Sequence, residues 1–130
     1  PNAEVRDEIF EILHRATNHN SVPDTTAELD LSRVMQCMDT TNGVMALFRH
    51  LQRTAQDCGF GEIGCFQVGG LSDSGITVAC GVPTVCGMGV RGEGNHTPDE
   101  YAEVESLFQR SVLAACAAYT LNDDFAKAAE

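Results

Sequence analysis

The residues with the clearest chemical potential lie in one stretch, Gly87-Met88-Gly89-Val90-Arg91-Gly92-Glu93-Gly94-Asn95-His96-Thr97-Pro98-Asp99-Glu100. Four glycines in eight residues, Gly87 to Gly94, let the backbone approach a neighbour closely or take positive φ. Thr97, Pro98 and Glu100 have the spacing of a capping box with proline at the first helical position. The pattern predicts that His96 is held just outside a turn of helix, where the dipole disfavours imidazolium. A neutral imidazole on a fixed backbone suits a metal site or a hydrogen-bonded active site. A solvated loop histidine fits the same spacing, and one ligand is not a site, since zinc takes about three or four. Nucleotide binding is set aside. Phosphate-binding glycine loops need a lysine or a downstream acid at fixed distance, whereas the only lysine here is Lys127 and Gly92-Glu93-Gly94 has no third glycine in place.

A second glycine-rich loop, Gly69-Gly70-Leu71-Ser72-Asp73-Ser74-Gly75, follows the β-prone run Cys65-Phe66-Gln67-Val68. A strand that ends in such a loop before a short helix is a common place for ligand contacts in α/β folds. A tight turn with Ser72 or Asp73 as helix cap explains the same residues.

The elements that must position these loops are read from periodicity. Val5, Ile9, Ile12, Leu13 and Ala16 form the stripe of an amphipathic helix over residues 4–17. His14 and His19, on or just after it, are read as solvated. Residues 25–31 alternate apolar and polar and predict a half-buried strand. Asp39-Thr40-Thr41-Asn42-Gly43 offers helix caps, and Val44, Leu47, Phe48, Leu51 and Ala55 predict a helix from Val44 to about Cys58 with Gly59 as its stop. His50 lies off that stripe and is expected in solvent. Ile76 to Cys80 reads as a short buried helix, and Pro83 to Cys86 as a central strand that feeds the 87–96 loop. Val104, Leu107, Phe108, Val112, Ala115, Cys116 and Tyr119 place the longest helix over 104–121, ended by Asn122-Asp123-Asp124 and a frayed tail.

Composition bounds the rest. The 130 residues suffice for one domain with a modest core. Eight basic against nineteen acidic side chains give a net charge of −11, which argues against nucleic acid or an anionic membrane as partner. The six cysteines, Cys37, Cys58, Cys65, Cys80, Cys86 and Cys116, form no close CxxC pair, and several sit in apolar runs. They are expected to be buried free thiols in a reducing, cytoplasmic setting. No signal peptide and no bilayer-spanning apolar run is evident. Pro1 is not an initiator methionine, so processing or truncation is expected. The first helix and strand cannot bury a sheet face alone. Either they pair across a dimer or the missing strands lie elsewhere in sequence.

Three ordered pieces of the chain resemble the C-terminal part of the zinc-dependent exopeptidases and amidohydrolases. Glutamate carboxypeptidase, acetylornithine deacetylase, succinyl-diaminopimelate desuccinylase and peptidase T belong to that family. Gly69-Gly70-Leu71-Ser72-Asp73 resembles the family's GGxSD or GGxTD loop. Gly81-Val82-Pro83-Thr84-Val85-Cys86-Gly87-Met88-Gly89 resembles its strand and loop of the form G-I/V-P-T…G-L-G. Gly94-Asn95-His96-Thr97-Pro98-Asp99-Glu100-Tyr101 resembles its G-x-x-H-x-x-D/N-E segment. With the helix that follows, the resemblance covers about residues 69–121, and residues 1–68 fit more loosely.

The resemblance implies an α/β fold: residues 39–130 as the C-terminal part of a di-zinc catalytic domain, a sheet flanked by helices, and residues 1–38 as the tail of an α+β lid or dimerisation domain. It implies that His96 is the last zinc ligand of a two-zinc site. It also implies that Gly69, Gly70, Ser72, Asp73, Gly94 and Asn95 line the substrate pocket, while Asp99 and Glu100 shape the loop. In the family the long helix starts later, near Ser106, so the Thr97 box would cap a single turn and Tyr101 to Val104 would run extended.

The departures from the family pattern define what is missing. Members carry a His-x-Asp ligand pair, a bridging aspartate and a Glu-Glu pair that supplies the general base for the zinc-bound water. Here His14, His19, His50 and His96 are followed two places on by Ala16, Ser21, Gln52 and Pro98, and no Glu-Glu dipeptide occurs. Gly75 stands near the place of a substrate-binding arginine found in some members. The resemblance therefore implies a fragment of a metallopeptidase of carboxypeptidase or deacylase type, inactive alone, whose substrate is a small peptide or N-acyl amino acid. Its partner would be the N-terminal part of the same protein, and a homodimer is a further assembly it allows. The alternative is a non-catalytic interaction or dimerisation module that keeps the family core.

Overall fold

The structure, a computed structural model, describes residues 3–19, 21–32, 34–122 and 125. The order of elements is α1 (Ala3–Thr17), α2 (Asn42–Asp57), α3 (Ser74–Ala79), β1 (Gly92–Glu93), β2 (Tyr101–Ala102) and α4 (Val104–Thr120). The expected Asp123–Asp124 stop and the tail after Phe125 lie outside the described residues. The chain divides into two compact units, one of residues 1–39 with 70–82 and one of residues 40–69 with 83–130.

In the first unit, α1 forms where the 3.6-residue stripe predicts it. Val5, Ile9, Ile12 and Leu13 nonetheless all remain substantially exposed. The Arg6 guanidinium bonds Asp7 and reaches Gln36 Oε1 at 2.8 Å. Residues 25–31 are irregular rather than strand. Alternation alone does not make a strand, because its backbone groups need a ladder partner. Helix α3 ends as a Schellman motif: Gly81 takes φ of 81°, and the Gly81 and Val82 amides bond the Val78 and Thr77 carbonyls. Its buried residues are Ser74, Gly75 and Val78, while Ile76, expected inside, is exposed. A Cβ on Gly75 would run into the Gln36 carbonyl, so the close passage of the residue 36–37 backbone over α3 requires glycine there.

The second unit holds the core. Thr41 takes an extended conformation, and its hydroxyl accepts from the Val44 amide at 3.2 Å, capping α2. At the other end Gly59 takes φ of 74°, with Gly59 N–H to the Gln56 carbonyl at 3.0 Å and Phe60 N–H to the Ala55 carbonyl at 2.9 Å. That is a second Schellman stop. Val44, Leu51 and Ala55 are buried as the α2 stripe predicts, whereas its Leu47 and Phe48 are half-buried and Ala46, off the stripe, is buried; α2 packs against α4.

Helix α4 presents a different face from the expected one. Leu113, 1% exposed, Ala117 and Ser106 are buried. Val104, Leu107, Phe108, Val112 and Tyr119, the apolar stripe of the sequence, lie on the exposed side. A helix apolar on more than one side gives periodicity no unique face to choose.

The one ladder among the described residues is antiparallel, β1 with β2, pairing Gly92 with Ala102 and Glu93 with Tyr101. Cys65–Val68 and Pro83–Cys86 are irregular instead of strands. Phe66 is 86% exposed and meets no sheet face among the described residues. No helix among the described residues is long and apolar enough to cross a membrane.

Candidate functional site

His96 sits at the tip of the β1–β2 hairpin, in the loop of residues 94–100. Its backbone is left-handed, with φ of 66°, a conformation that a non-glycine residue adopts at a cost. The loop fixes it there. The Thr97 amide and hydroxyl both donate to the Gly94 carbonyl, at 3.0 and 2.7 Å. The Glu100 amide donates to the Thr97 carbonyl at 3.2 Å, and the Asp99 amide to the Thr97 hydroxyl at 3.3 Å. Glu100 Oε2 accepts from the His96 amide at 3.4 Å. Gly94 takes φ of 77°, and a Cβ there would lie 3.0 Å from the Asp99 carbonyl oxygen.

This geometry corrects the capping-box reading. The Thr97 and Glu100 side chains do bond backbone amides, but around a turn and not reciprocally: the Thr97 hydroxyl serves the Asp99 amide, and Glu100 serves the His96 amide rather than that of Thr97. No helix follows, because Tyr101–Ala102 pairs back onto β1 and α4 starts only at Val104. His96 therefore does not face a helix N-terminus, and the dipole argument for a neutral ring does not apply.

The hairpin is tied to α4 at its base. The Glu103 amide donates to the Arg91 carbonyl at 2.8 Å, and Arg91 Nε meets Glu103 Oε2 at 3.0 Å. Ser106, 1% exposed, accepts from the Arg91 amide at 2.8 Å and donates to the Glu103 carbonyl at 2.6 Å. Nothing in the sequence pattern marks Ser106, since a serine in a first helical turn has no signature of a partner fifteen residues earlier. Beside the loop lies an open hollow of about 480 Å³, lined by Val90, Gly92, Asn95, Glu100, Tyr101 and Ala102.

Gly94, Asn95 and His96 thus come together on one loop. Gly70, Ser72 and Asp73 form a separate group in the other unit, and Gly69 is the last residue before that boundary. Gly69 and Gly70 are exposed. The Ser72 hydroxyl lies 2.6 Å from that of Ser74 and accepts from the Ser74 amide at 3.3 Å. Asp73 occupies the cap position of α3 without a side-chain capping bond. Ser72, not Asp73, therefore does the local capping that was expected of either. Gly75, near the place of the family arginine, has no room for any side chain.

The donor set for zinc is one exposed imidazole. No group of three His, Cys, Asp or Glu able to hold a metal occurs among the described residues. Since a zinc site needs about three or four ligands, these residues alone do not fit the ion.

His50, expected in solvent, is half-buried: Nε2 lies 2.9 Å from the Ala117 carbonyl and 3.4 Å from the Thr120 hydroxyl, joining α2 to α4. His14 and His19 are exposed as expected. All six cysteines are free, but none is buried: Cys65, Cys80 and Cys86 are exposed, and Cys37, Cys58 and Cys116 half-buried. Short apolar runs did not carry them into a core because Cys65 and Cys86 lie on irregular segments and Cys80 on the exposed end of α3.

No family model matches the sequence, and no curated protein or solved structure matches it.

Proposed function

We propose that this chain is the C-terminal part of a metal-dependent hydrolase that cleaves peptide or N-acyl amide bonds of small substrates. In that reading the complete protein has an α/β catalytic domain and two zinc ions. His96 is a metal ligand, and the general base and the other ligands lie upstream. Gly69, Gly70, Ser72, Asp73, Gly94 and Asn95 line the substrate pocket. The observation that carries the reading is the ordered set of three motifs, with His96 presented at the tip of a hairpin whose loop hydrogen bonds fix its backbone. Exposure of the imidazole leaves it accessible to ligands from elsewhere in the protein. Free thiols suit cytoplasmic residence.

Sequencing the reading frame upstream of the Pro1 codon, then expressing the complete protein, tests this. The expected frame contains a His-x-Asp pair and a Glu-Glu pair. The expected protein carries zinc and hydrolyses N-acyl amino acids or small peptides, and His96→Ala loses metal and activity together. A frame without those pairs overturns the reading.

The exposed apolar faces of α1 and α4 favour a second reading, an interaction or dimerisation module without catalysis. Full retention of function in His96→Ala, with loss of association when Ile9 or Phe108 is made polar, would select it.

A further inference from the structure

Helix α1 carries a narrow apolar seam in solvent. Val5, Ile9, Ile12 and Ala16 follow one another at steps of four, three and four residues, the spacing of alternating a and d positions in a coiled coil. All four are exposed, Ile9 at 48% and Ile12 at 57%. The side of α1 that turns inward is a different one. Arg6, Phe10 and Thr17 are half-buried, and the Arg6 guanidinium is tied to Asp7 and Gln36. At 3.6 residues per turn, that side lies about a third of the way round the helix from the seam. The other edge of the seam is charged. Glu8 and Arg15 lie there, seven residues apart and so one above the other. Both are exposed, and no ion pair among the described residues engages either of them.

We propose that α1 is a self-association surface through which two copies of this chain pair antiparallel, forming a reversible two-fold dimer. In that arrangement Ile9 of each copy faces Ile12 of the other at the axis. Val5 of each copy faces Ala16 of the other at the ends, so the whole helix is used. Glu8 of each copy meets Arg15 of the other, and the two-fold axis makes that ion pair twice. Parallel pairing would set Glu8 beside Leu13 of the second copy and leave Arg15 without a carboxylate. The charges therefore select the antiparallel orientation. They also name the occupant, because the seam and its flanking pair are complementary to themselves.

The size of the contact sets its strength. With 15 residues α1 is about 22 Å long. One pair of such helices buries less than the roughly 1,200–2,000 Å² of a stable interface, so a dissociation constant on the order of 100 μM is expected. The pairing does not rest on the hydrolase reading, and its failure leaves the His96→Ala test of that reading untouched.

The test is sedimentation equilibrium of the full chain up to about 1 mM, well above the expected midpoint. Reductant prevents the exposed Cys65, Cys80 and Cys86 from linking copies. Salt at about 0.15 M screens the charge of −11 on each copy beyond about 8 Å. The expected result is a monomer of 14.0 kDa in exchange with a dimer of twice that mass. Ile9→Lys should remain monomeric throughout with an unchanged helical circular dichroism spectrum, and Phe108→Ser on α4 should dimerise as the parent does. Glu8→Arg alone, or Arg15→Glu alone, turns both ion pairs into like-charge contacts and should weaken association about tenfold. The double variant Glu8→Arg/Arg15→Glu should recover it to within about twofold, since the pair is only reversed. A chain that stays monomeric at the highest concentration overturns the proposal. So does a dimer indifferent to Ile9→Lys, or a double variant that fails to recover. In the complete protein, a monomer that Ile9→Lys destabilises would overturn it too, assigning the seam to upstream sequence.

Discussion

The Ser106 hydroxyl accepts the Arg91 amide at 2.8 Å while donating to the Glu103 carbonyl at 2.6 Å, joining the two ends of the His96 hairpin to the first turn of α4. Ser106 is buried, so a replacement that removes the oxygen strands the Arg91 amide away from water. Such an orphaned donor costs about 1–3 kcal/mol. Ser106→Ala is therefore expected to lower unfolding free energy by that amount in urea titrations. The Arg91 amide should lose its protection from hydrogen exchange. An unchanged exchange rate at Arg91 would show that water replaces the hydroxyl.

The left-handed backbone at the hairpin tip separates two substitutions that look alike. Gly94→Ala must place a Cβ 3.0 Å from the Asp99 carbonyl at φ of 77°, so it is expected to destabilise the chain by about 1–2 kcal/mol. At His96, φ is 66° and glycine removes strain. His96→Gly is expected to leave stability unchanged or raise it by up to about 1 kcal/mol. Chemical denaturation of both variants checks this. A stability loss in His96→Gly would mean that the imidazole itself packs.

Which of these features the sequence disclosed follows from how far apart the interacting groups lie along the chain. Both ends of α2 were legible because Thr41 and Gly59 act on residues within a turn of themselves. The hairpin was not. Thr97, Pro98 and Glu100 have true capping spacing, yet the pairing of Tyr101 with Glu93 decides the backbone and is invisible to local pattern. The same reason hid His50 and Ser106, whose partners are Ala117 and Arg91. For Cys65–Val68 the composition favours a strand, but no ladder forms among the described residues to satisfy it.

Asp30 offers a test of local electrostatics at the surface. The Ser32 amide donates to its carboxylate at 2.8 Å, and the backbone and then the hydroxyl of Ser32 hold the Asp30 carboxyl below the usual carboxylate range. A depressed folded value means that this contribution is present above the unfolded range and lost as pH falls through the folded value. The Asp30 carboxyl carbon should titrate at lower pH in the native chain than in urea. Ser32→Ala should raise the midpoint slightly and Ser32→Pro, which removes the N–H, more. Identical native and denatured midpoints would refute the assignment.

The two faces of α4 make opposite predictions for equally apolar residues. Leu113 is 1% exposed and Phe108 62% exposed. Leu113→Ala removes buried methyl groups from the contact with α2 and is expected to cost about 2–5 kcal/mol. Phe108→Ser touches no core, and its effect on the isolated chain should stay within about 0.5 kcal/mol. In the complete protein the comparison changes meaning. If the exposed face of α4 is covered there by the rest of a catalytic domain, Phe108→Ser becomes destabilising by about 2 kcal/mol or more. Paired denaturation curves of both variants in the isolated chain and the complete protein read this directly. A Phe108 effect that stays negligible in both would leave that face of α4 in solvent and remove it from any buried domain contact.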